Sequence, residues 1–228
     1  MKMKILLLNP PFKGKFSRSS RSPAVTRGGT IYYPIWLAYC AGVLDNAGFE
    51  IKIIDSPAQK FDLEKTLRLA QEFNPDLIII DTSTPSIKND IRAAEAIKNR
   101  LSETFITLVG THPSALPEET LRLSDKINAV AKGEYDYTIR DLARCLKNNE
   151  DLKKVDGLIF RDGENIIHNK PRELIQNPNE LPFVSSVYKK YLNIKNYFFA
   201  ASDYPMVMIM TGRGCAYRCF FAISANFS

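Results

Sequence analysis

Histidine, cysteine and tryptophan are scarce in this chain, with two, four and one among 228 residues. Two histidines, His112 and His168, exclude a His-rich metal site, and His168 reads as plain surface. The cysteines at 40, 145, 215 and 219 form no spaced disulfide framework; only Cys215 and Cys219 lie close together. No apolar run approaches the ~20 residues that span a bilayer. The start, Met1-Lys2-Met3-Lys4 followed by four aliphatics and Asn9-Pro10-Pro11, lacks a signal-peptide core. The expectation is a soluble, cytoplasmic protein without a membrane span. No G-x-G-x-x-G follows the first apolar run, and neither G-x-x-x-x-G-K-[ST] nor G-x-S-x-G occurs. Nicotinamide, phosphate-loop and hydrolase chemistries therefore lose their main support. Internal repeats and low-complexity tracts are also missing.

What is present is an ordinary globular balance: 45% hydrophobic residues and 31 Lys+Arg against 25 Asp+Glu, a net charge of +6. Without an aromatic-interleaved basic face, that charge argues against a nucleic-acid partner. Short aliphatic runs at residues 5–8, 51–54, 77–80 and 105–109, and a weaker one at 129–131, alternate with helical patterns. This is the signature of a parallel sheet with crossover helices. The first helical pattern sets Trp36, Cys40, Val43, Leu44 and Ala47 on one face, opens near Pro34 and stops at Gly48. A second places Leu63, Leu67, Ala70 and Phe73 inward and ends at Asn74-Pro75, and a third runs Ile91, Ala94, Ile97, Leu101. The last, Ile139, Leu142, Ala143 and Leu146, closes a domain near residue 150. Runs one, three and four are the most apolar, whereas run two carries Lys52 and run five is flanked by Asn128 and Lys132. Two and five therefore read as edges, giving a flavodoxin-like α/β fold with five parallel strands in the order 2-1-3-4-5. In such sheets a ligand sits beyond the carboxyl ends of the strands.

Past residue 150 the character changes. Residues 155–168 read as a hairpin around Asp162-Gly163, and residues 171–205, with Pro171, Pro178, Pro182 and Pro205, read as a partly ordered linker. The divisions are 1–150, 151–203 and 204–228. An apolar run at 206–210 reads as an exposed strand, a surface for a protein partner, and leads into Thr211-Gly-Arg-Gly-Cys-Ala-Tyr-Arg-Cys219.

Four loops fall at strand carboxyl ends. The first, residues 9–33, carries Lys13, Lys15, Arg18, Arg21 and Arg27 and no acid. It is either an anion-contacting lid or a solvated basic loop. After the third run, Asp81-Thr-Ser-Thr-Pro-Ser86 either ends the strand and caps the next helix, or offers Thr82, Ser83 and Thr84 to a polar ligand. After the fourth, Gly110, Thr111 and His112 either approach something closely or make a simple turn into a helix. Gly133 and Glu134 repeat the pattern after the fifth.

Together, Lys4-Ile-Leu-Leu-Leu-Asn-Pro-Pro11, Val109-Gly-Thr-His-Pro-Ser-Ala-Leu-Pro-Glu118, Lys132-Gly-Glu134 and the Cys215–Cys219 segment resemble the cobalamin-binding-domain radical S-adenosylmethionine enzymes. The resemblance implies a flavodoxin-like domain holding cobalamin at its strand ends, here through Asn9, Pro10, Thr82, Ser83, Thr84, Gly110, Thr111, His112, Gly133 and Glu134. It also implies a following (β/α) barrel, of which residues 206–210 would be the first strand, with a [4Fe–4S] cluster and S-adenosylmethionine. The D-x-H-x-x-G motif that supplies an axial histidine in some relatives is lacking. In the family's C-x-x-x-C-x-x-C cluster motif, Cys215 and Cys219 match as metal ligands but the third position is Ala222. A methyl group cannot ligate iron. The expectation is a cobalamin-holding module, catalytically incomplete, with no catalytic residue assigned and with the look of a truncated or frameshifted reading frame. The alternatives are a fragment or altered copy of an active cobalamin-dependent radical methyltransferase, and a flavodoxin-like sensor or interaction domain without cobalamin.

Overall fold

The aliphatic runs become parallel strands β1 (Lys4–Asn9), β2 (Glu50–Asp55), β3 (Leu77–Thr82), β4 (Phe105–Gly110) and β5 (Ala129–Ala131) in a computed structural model that describes residues 2–20, 23, 25 and 28–213. Between them lie α1 (Ile35–Asn46), α2 (Ser56–Gln59), α3 (Leu63–Phe73), α4 (Ile87–Arg100), α5 (Thr111–Ala115) and α6 (Pro117–Arg122); α7 (Asp136–Asn148) follows β5. The expected order 2-1-3-4-5 holds. Strand β3 is buried along its whole length, as a central strand covered on both faces must be.

The sheet does not stop at β5. Strands β6 (Leu158–Asp162) and β7 (Asn165–His168), the expected hairpin, continue it antiparallel, with Val130 opposite Ile159 and Phe160 opposite Ile167. The reading of the fifth strand as an edge is thus corrected, while β2 is the edge expected. The hairpin thereby pairs the outer backbone groups of β5, which would otherwise form a free edge.

Alternation along the strands sends Ile5, Leu7 and Ile79 to one face under α1 and α7, and Leu6, Leu8, Ile78 and Ile80 to the other under α3 and α4. Helix α1 lacks an exposed stripe because it is sandwiched between the sheet, α7 and α8 (Val184–Tyr191), and nine of its twelve residues are buried. Trp36, expected on the inner face, is instead 37% exposed. Asn74 and Asn149 take left-handed positions past α3 and α7, and the Asp62 side chain caps α3 by accepting from Lys65 N at 2.7 Å.

Within the expected linker, α8 packs on α1, and Tyr188 and Tyr197 are buried. Both stack on Tyr33, at 4.2 and 4.0 Å between ring centroids. These rings supply the apolar surface that holds the segment in place. Residues 206–210 pair with no strand among the described residues; Met206, Met208 and Met210 pack on the core while Val207 and Ile209 point outward. Cys215, Cys219 and Ala222 lie outside the described residues, as do Arg21 and Arg27.

The seat of α8 rests on Gly42, where a Cβ would lie 2.5 Å from Pro182 Cγ and 2.9 Å from Val187 Cγ2. Helix propensity alone favours Ala over Gly by about 1 kcal/mol. Gly42→Ala should nonetheless destabilise by roughly 1–3 kcal/mol in urea unfolding because it overpacks this contact. Stabilisation would contradict the packing.

Candidate functional site

At the carboxyl ends of β1 and β3 the first loop dives into the protein. Arg18 and Asp90 have side chains with no exposed surface and form a two-point ion pair, with Arg18 Nε donating to Asp90 Oδ2 at 3.0 Å. Arg18 Nη1 also donates to Asn9 Oδ1 at 2.8 Å and to the Pro10 carbonyl at 2.9 Å. Asp90 accepts further from Thr82 Oγ1 at 2.7 Å and Ser86 Oγ at 2.6 Å. Asn9 Nδ2 donates to Asp55 Oδ1 and Tyr197 Oη to Asp55 Oδ2, each at 3.0 Å. Strand ends, loop and the residue-197 segment are thereby joined through charge-assisted bonds. Outside this network, Phe12, Lys13, Ser56, Pro57, Lys60 and Phe61 line part of a cleft of about 590 Å³ beside α2.

The ends of β3, β4 and β5 are built differently. Their loops are tied to one another by hydroxyls. His112 Nδ1 lies 3.3 Å from Thr84 Oγ1, Ser114 Oγ donates to the Gly110 carbonyl at 2.7 Å, and Gly133 N donates to Ser114 Oγ at 3.0 Å. Gly110 has φ +108°, and a Cβ there would lie 2.2 Å from the Thr82 carbonyl oxygen and 2.7 Å from Asp81 Oδ1. The close approach that demands glycine is therefore to β3 itself. Around these loops, Asp81 Oδ2, His112 Nε2 and Tyr135 Oη are buried and find no hydrogen-bond partner among the described residues. Such groups are rare in native proteins and mark places where a ligand, ion or water completes the bonding. Burial holds the His112 imidazole below its ordinary pKa and pushes the Tyr135 phenol well up.

Beyond β5, Asp136 at the start of α7 meets Arg213, whose Nη1 lies 2.7 Å from Asp136 Oδ2 and 3.8 Å from Glu134 Oε1. The guanidinium sits 5.3 Å from the Trp36 ring centroid and 4.8 Å from that of Tyr39.

The residues singled out by sequence thus separate into two groups. Asn9, Pro10, Thr82 and Ser83 are buried, and Asn9, Thr82 and Ser83 direct their side chains into the protein's own network, Ser83 through Ser86. Thr84 and Thr111 are exposed, Gly110, Gly133 and Glu134 are half-buried on the same rim, and His112 lies beneath it. Glu134 accepts from Ile175 N at 3.0 Å, so part of its bonding capacity is structural. Sequence reading missed Asp81 and Tyr135 as site residues, as well as the pairings of Arg18 and Arg213. A carboxylate closing the aliphatic run 77–80 was a signal for Asp81; the Arg18–Asp90 pair spans 72 positions and leaves none.

Burial pushes Asp55 up to about 6 against its bonds to Tyr197 and Asn9. Burial likewise pushes Asp81 up to about 7, opposed by Arg18 and reinforced by Asp90 and Asp55. Each folded carboxyl holds its proton more tightly than the unfolded chain does, so this stabilisation is complete below the unfolded pKa of about 4 and is lost as pH rises through the folded values. The urea midpoint should fall as pH rises from roughly 4 to 7, and Asp81→Asn should remove the upper part of that fall. A midpoint independent of pH over this range, or an unchanged slope in Asp81→Asn, would contradict the assignment.

A family model described as the B12 binding domain matches residues 21–143. The chain is 30% identical over 223 residues to "Uncharacterized methyltransferase PH0819" of Pyrococcus horikoshii, covering 98% of this chain and 46% of that protein. It is 26% identical over 227 residues to the anaerobic magnesium-protoporphyrin IX monomethyl ester cyclase of Synechocystis sp., covering 99% and 43%. It therefore spans less than half the length of these curated relatives. Among solved structures, the radical S-adenosylmethionine methyltransferase TsrM from Kitasatospora setae, with cobalamin and [4Fe-4S] cluster bound, aligns with TM-score 0.62 at 19% identity, over 80% of this chain and 31% of that one. The cobalamin-dependent S-adenosylmethionine radical enzyme OxsB, with aqua-cobalamin and S-adenosylmethionine bound, aligns with TM-score 0.64 at 18% identity, over 82% and 25%. These likenesses agree with the α/β fold seen here, and with the model match over more than half its length the chain belongs to the B12-binding domain family.

Proposed function

We propose that this chain is the cobalamin-holding part of a radical S-adenosylmethionine protein of the methyltransferase type, and that it holds the cofactor at the carboxyl ends of β3, β4 and β5. One observation carries the reading: in a chain of the B12-binding domain family, the buried polar atoms Asp81 Oδ2, His112 Nε2 and Tyr135 Oη go unpartnered around one set of loops. The residue set suits cobalamin, whose amide-fringed ring needs both donors and acceptors. Thr84, Thr111 and the backbone at Gly110 and Gly133 offer these on the rim, while Asp81, His112 and Tyr135 lie beneath. When bound, cobalamin supplies a cobalt centre that carries an alkyl group. This chain's own work is to bind and orient it: hydroxyl ties hold the three loops in register, and the buried Arg18–Asp90 pair keeps the first loop in place beside them. A relative named as a methyltransferase and matched along nearly all of this chain supports the reaction class.

The iron–sulfur cluster does not fit as well. A [4Fe–4S] site of this type takes three thiolates, and Ala222 stands where the third is needed after Cys215 and Cys219. We therefore assign the radical step to no residue of this chain, and read the two cysteines as insufficient on their own. Residues 204–228, as the start of a second domain, belong to the same proposal.

Titration of purified, anaerobically handled protein with hydroxocobalamin and with methylcobalamin, followed by absorbance, should saturate near one cofactor per chain. Iron and sulfide after reconstitution should stay below a full four-iron cluster. No spectral change, with cobalamin separating from protein on gel filtration, would overturn the cobalamin reading. A stoichiometric cluster would overturn the reading of Ala222.

A further inference from the structure

The loop after β5 faces two ways. On one side Gly133 N donates to Ser114 Oγ, and Tyr135 directs its unpartnered hydroxyl into the interior within electrostatic range of Asp81. On the other side Glu134 and Asp136, which flank Tyr135, converge on Arg213. The Arg213 side chain is only 6% exposed, and its guanidinium lies over both Trp36 and Tyr39 of α1. Residues 206–213 are thus fastened at two points: Tyr33 Oη donates to the Met206 carbonyl at 2.8 Å, and Arg213 closes the far end, two positions before Cys215.

We infer that Arg213 is a positioning residue that couples occupancy of the carboxyl-edge cofactor site to the docking of residues 206–213. The inference rests on the cobalamin reading above. The physical ground is that four consecutive residues, Gly133 to Asp136, carry both the tie to the β4 loop at Ser114 and the seat of Arg213. A ligand that selects one conformation of that loop therefore selects the conformation that accepts the guanidinium, and by linkage a seated Arg213 favours the ligand by the same factor. Arginine suits the role because its planar fork can engage Asp136 while its faces stack on the two rings; a lysine keeps the charge and loses the plane. The elements crowding this seat carry Cys40, Tyr39, Glu134, Tyr135 and Asp136, and the ion pair with Asp136 is the contact that a substitution can remove most cleanly.

Trypsin cleaves after arginine, and a seated Arg213 cannot enter the protease. Cleavage at Arg213–Gly214, followed by mass spectrometry of the 1–213 product, therefore reports how often the segment lifts. Cobalamin affinity is measured first, by absorbance and without protease. Saturating hydroxocobalamin should slow this cleavage roughly tenfold in the wild-type chain, a coupling in the usual range for linked sites. Asp136→Asn should be cut faster, bind hydroxocobalamin roughly tenfold more weakly and lose most of the protection. Arg213→Lys should bind the cofactor more tightly than Arg213→Ala, a partial rescue that a purely structural role would not give. The wild-type measurement needs no variant to fold. Cofactor binding with no change in cleavage, or wild-type affinity in both Asp136→Asn and Arg213→Ala, would overturn the coupling while leaving the cobalamin reading intact. A wild-type chain that binds no cobalamin would overturn that reading and the coupling with it.

Discussion

A guanidinium with no access to water holds the carboxyl edge of this sheet. Arg18 enters from a loop of the chain's first thirty residues, meets Asp90 on α4, and bonds to the end of β1 through Asn9 and Pro10. Neither charge is tolerable alone in that setting: removing one partner of a buried pair costs about 3–5 kcal/mol because the other is left uncompensated. The loop is therefore committed to one path across β1 and β3. The side chains at those strand ends are engaged with the loop, whereas the unpartnered atoms of Asp81, His112 and Tyr135 fall at the ends of β3, β4 and β5; the other such buried atoms among the described residues are on Ser19, Arg161 and Tyr188.

The same accounting explains the four buried aspartates at this end of the molecule. Asp90 and Asp136 each face a guanidinium, from Arg18 and Arg213. Asp55 accepts from neutral groups, the Asn9 amide, the Tyr197 hydroxyl and the Ala58 backbone, and burial pushes it up to about 6 although Arg18 nearby opposes this. Asp81, with one oxygen unpartnered, is pushed up to about 7. A buried carboxyl whose charge is not fully compensated lowers the cost of desolvation by binding its proton more tightly.

The parts of this fold legible in the sequence are those governed by short-range rules. Apolar runs marked the strands, their relative polarity gave the order of the parallel five, and asparagines or glycines marked helix ends such as Asn74 and Gly48. The loops that could carry function followed from strand direction alone. What could not be read depends on contacts between distant positions. The hairpin joins the sheet through pairs such as Val130 with Ile159, α8 docks because Gly42 leaves room for Pro182 and Val187, and Tyr33 is stacked between rings more than 150 residues further along the chain. Trp36 looked like core by spacing, but its partner is Arg213, 177 positions later. The segment 81–86 read equally as a strand end with a helix cap at Asp81 and Ser86 and as ligand contacts from Thr82, Ser83 and Thr84; the buried Asp90 beside Thr82 and Ser86 draws Thr82 inward, and Ser83 bonds to Ser86.

Amide hydrogen exchange with and without saturating hydroxocobalamin locates the cofactor on the sheet directly. Protection should concentrate in the loops after β3, β4 and β5, at residues 82–86, 110–115 and 131–136. The opposite end of the sheet, around Asn74, Asp76 and Glu103, should exchange unchanged although it has its own cleft of about 500 Å³. Protection centred on that opposite end, with the three carboxyl-edge loops unaffected, would contradict the account.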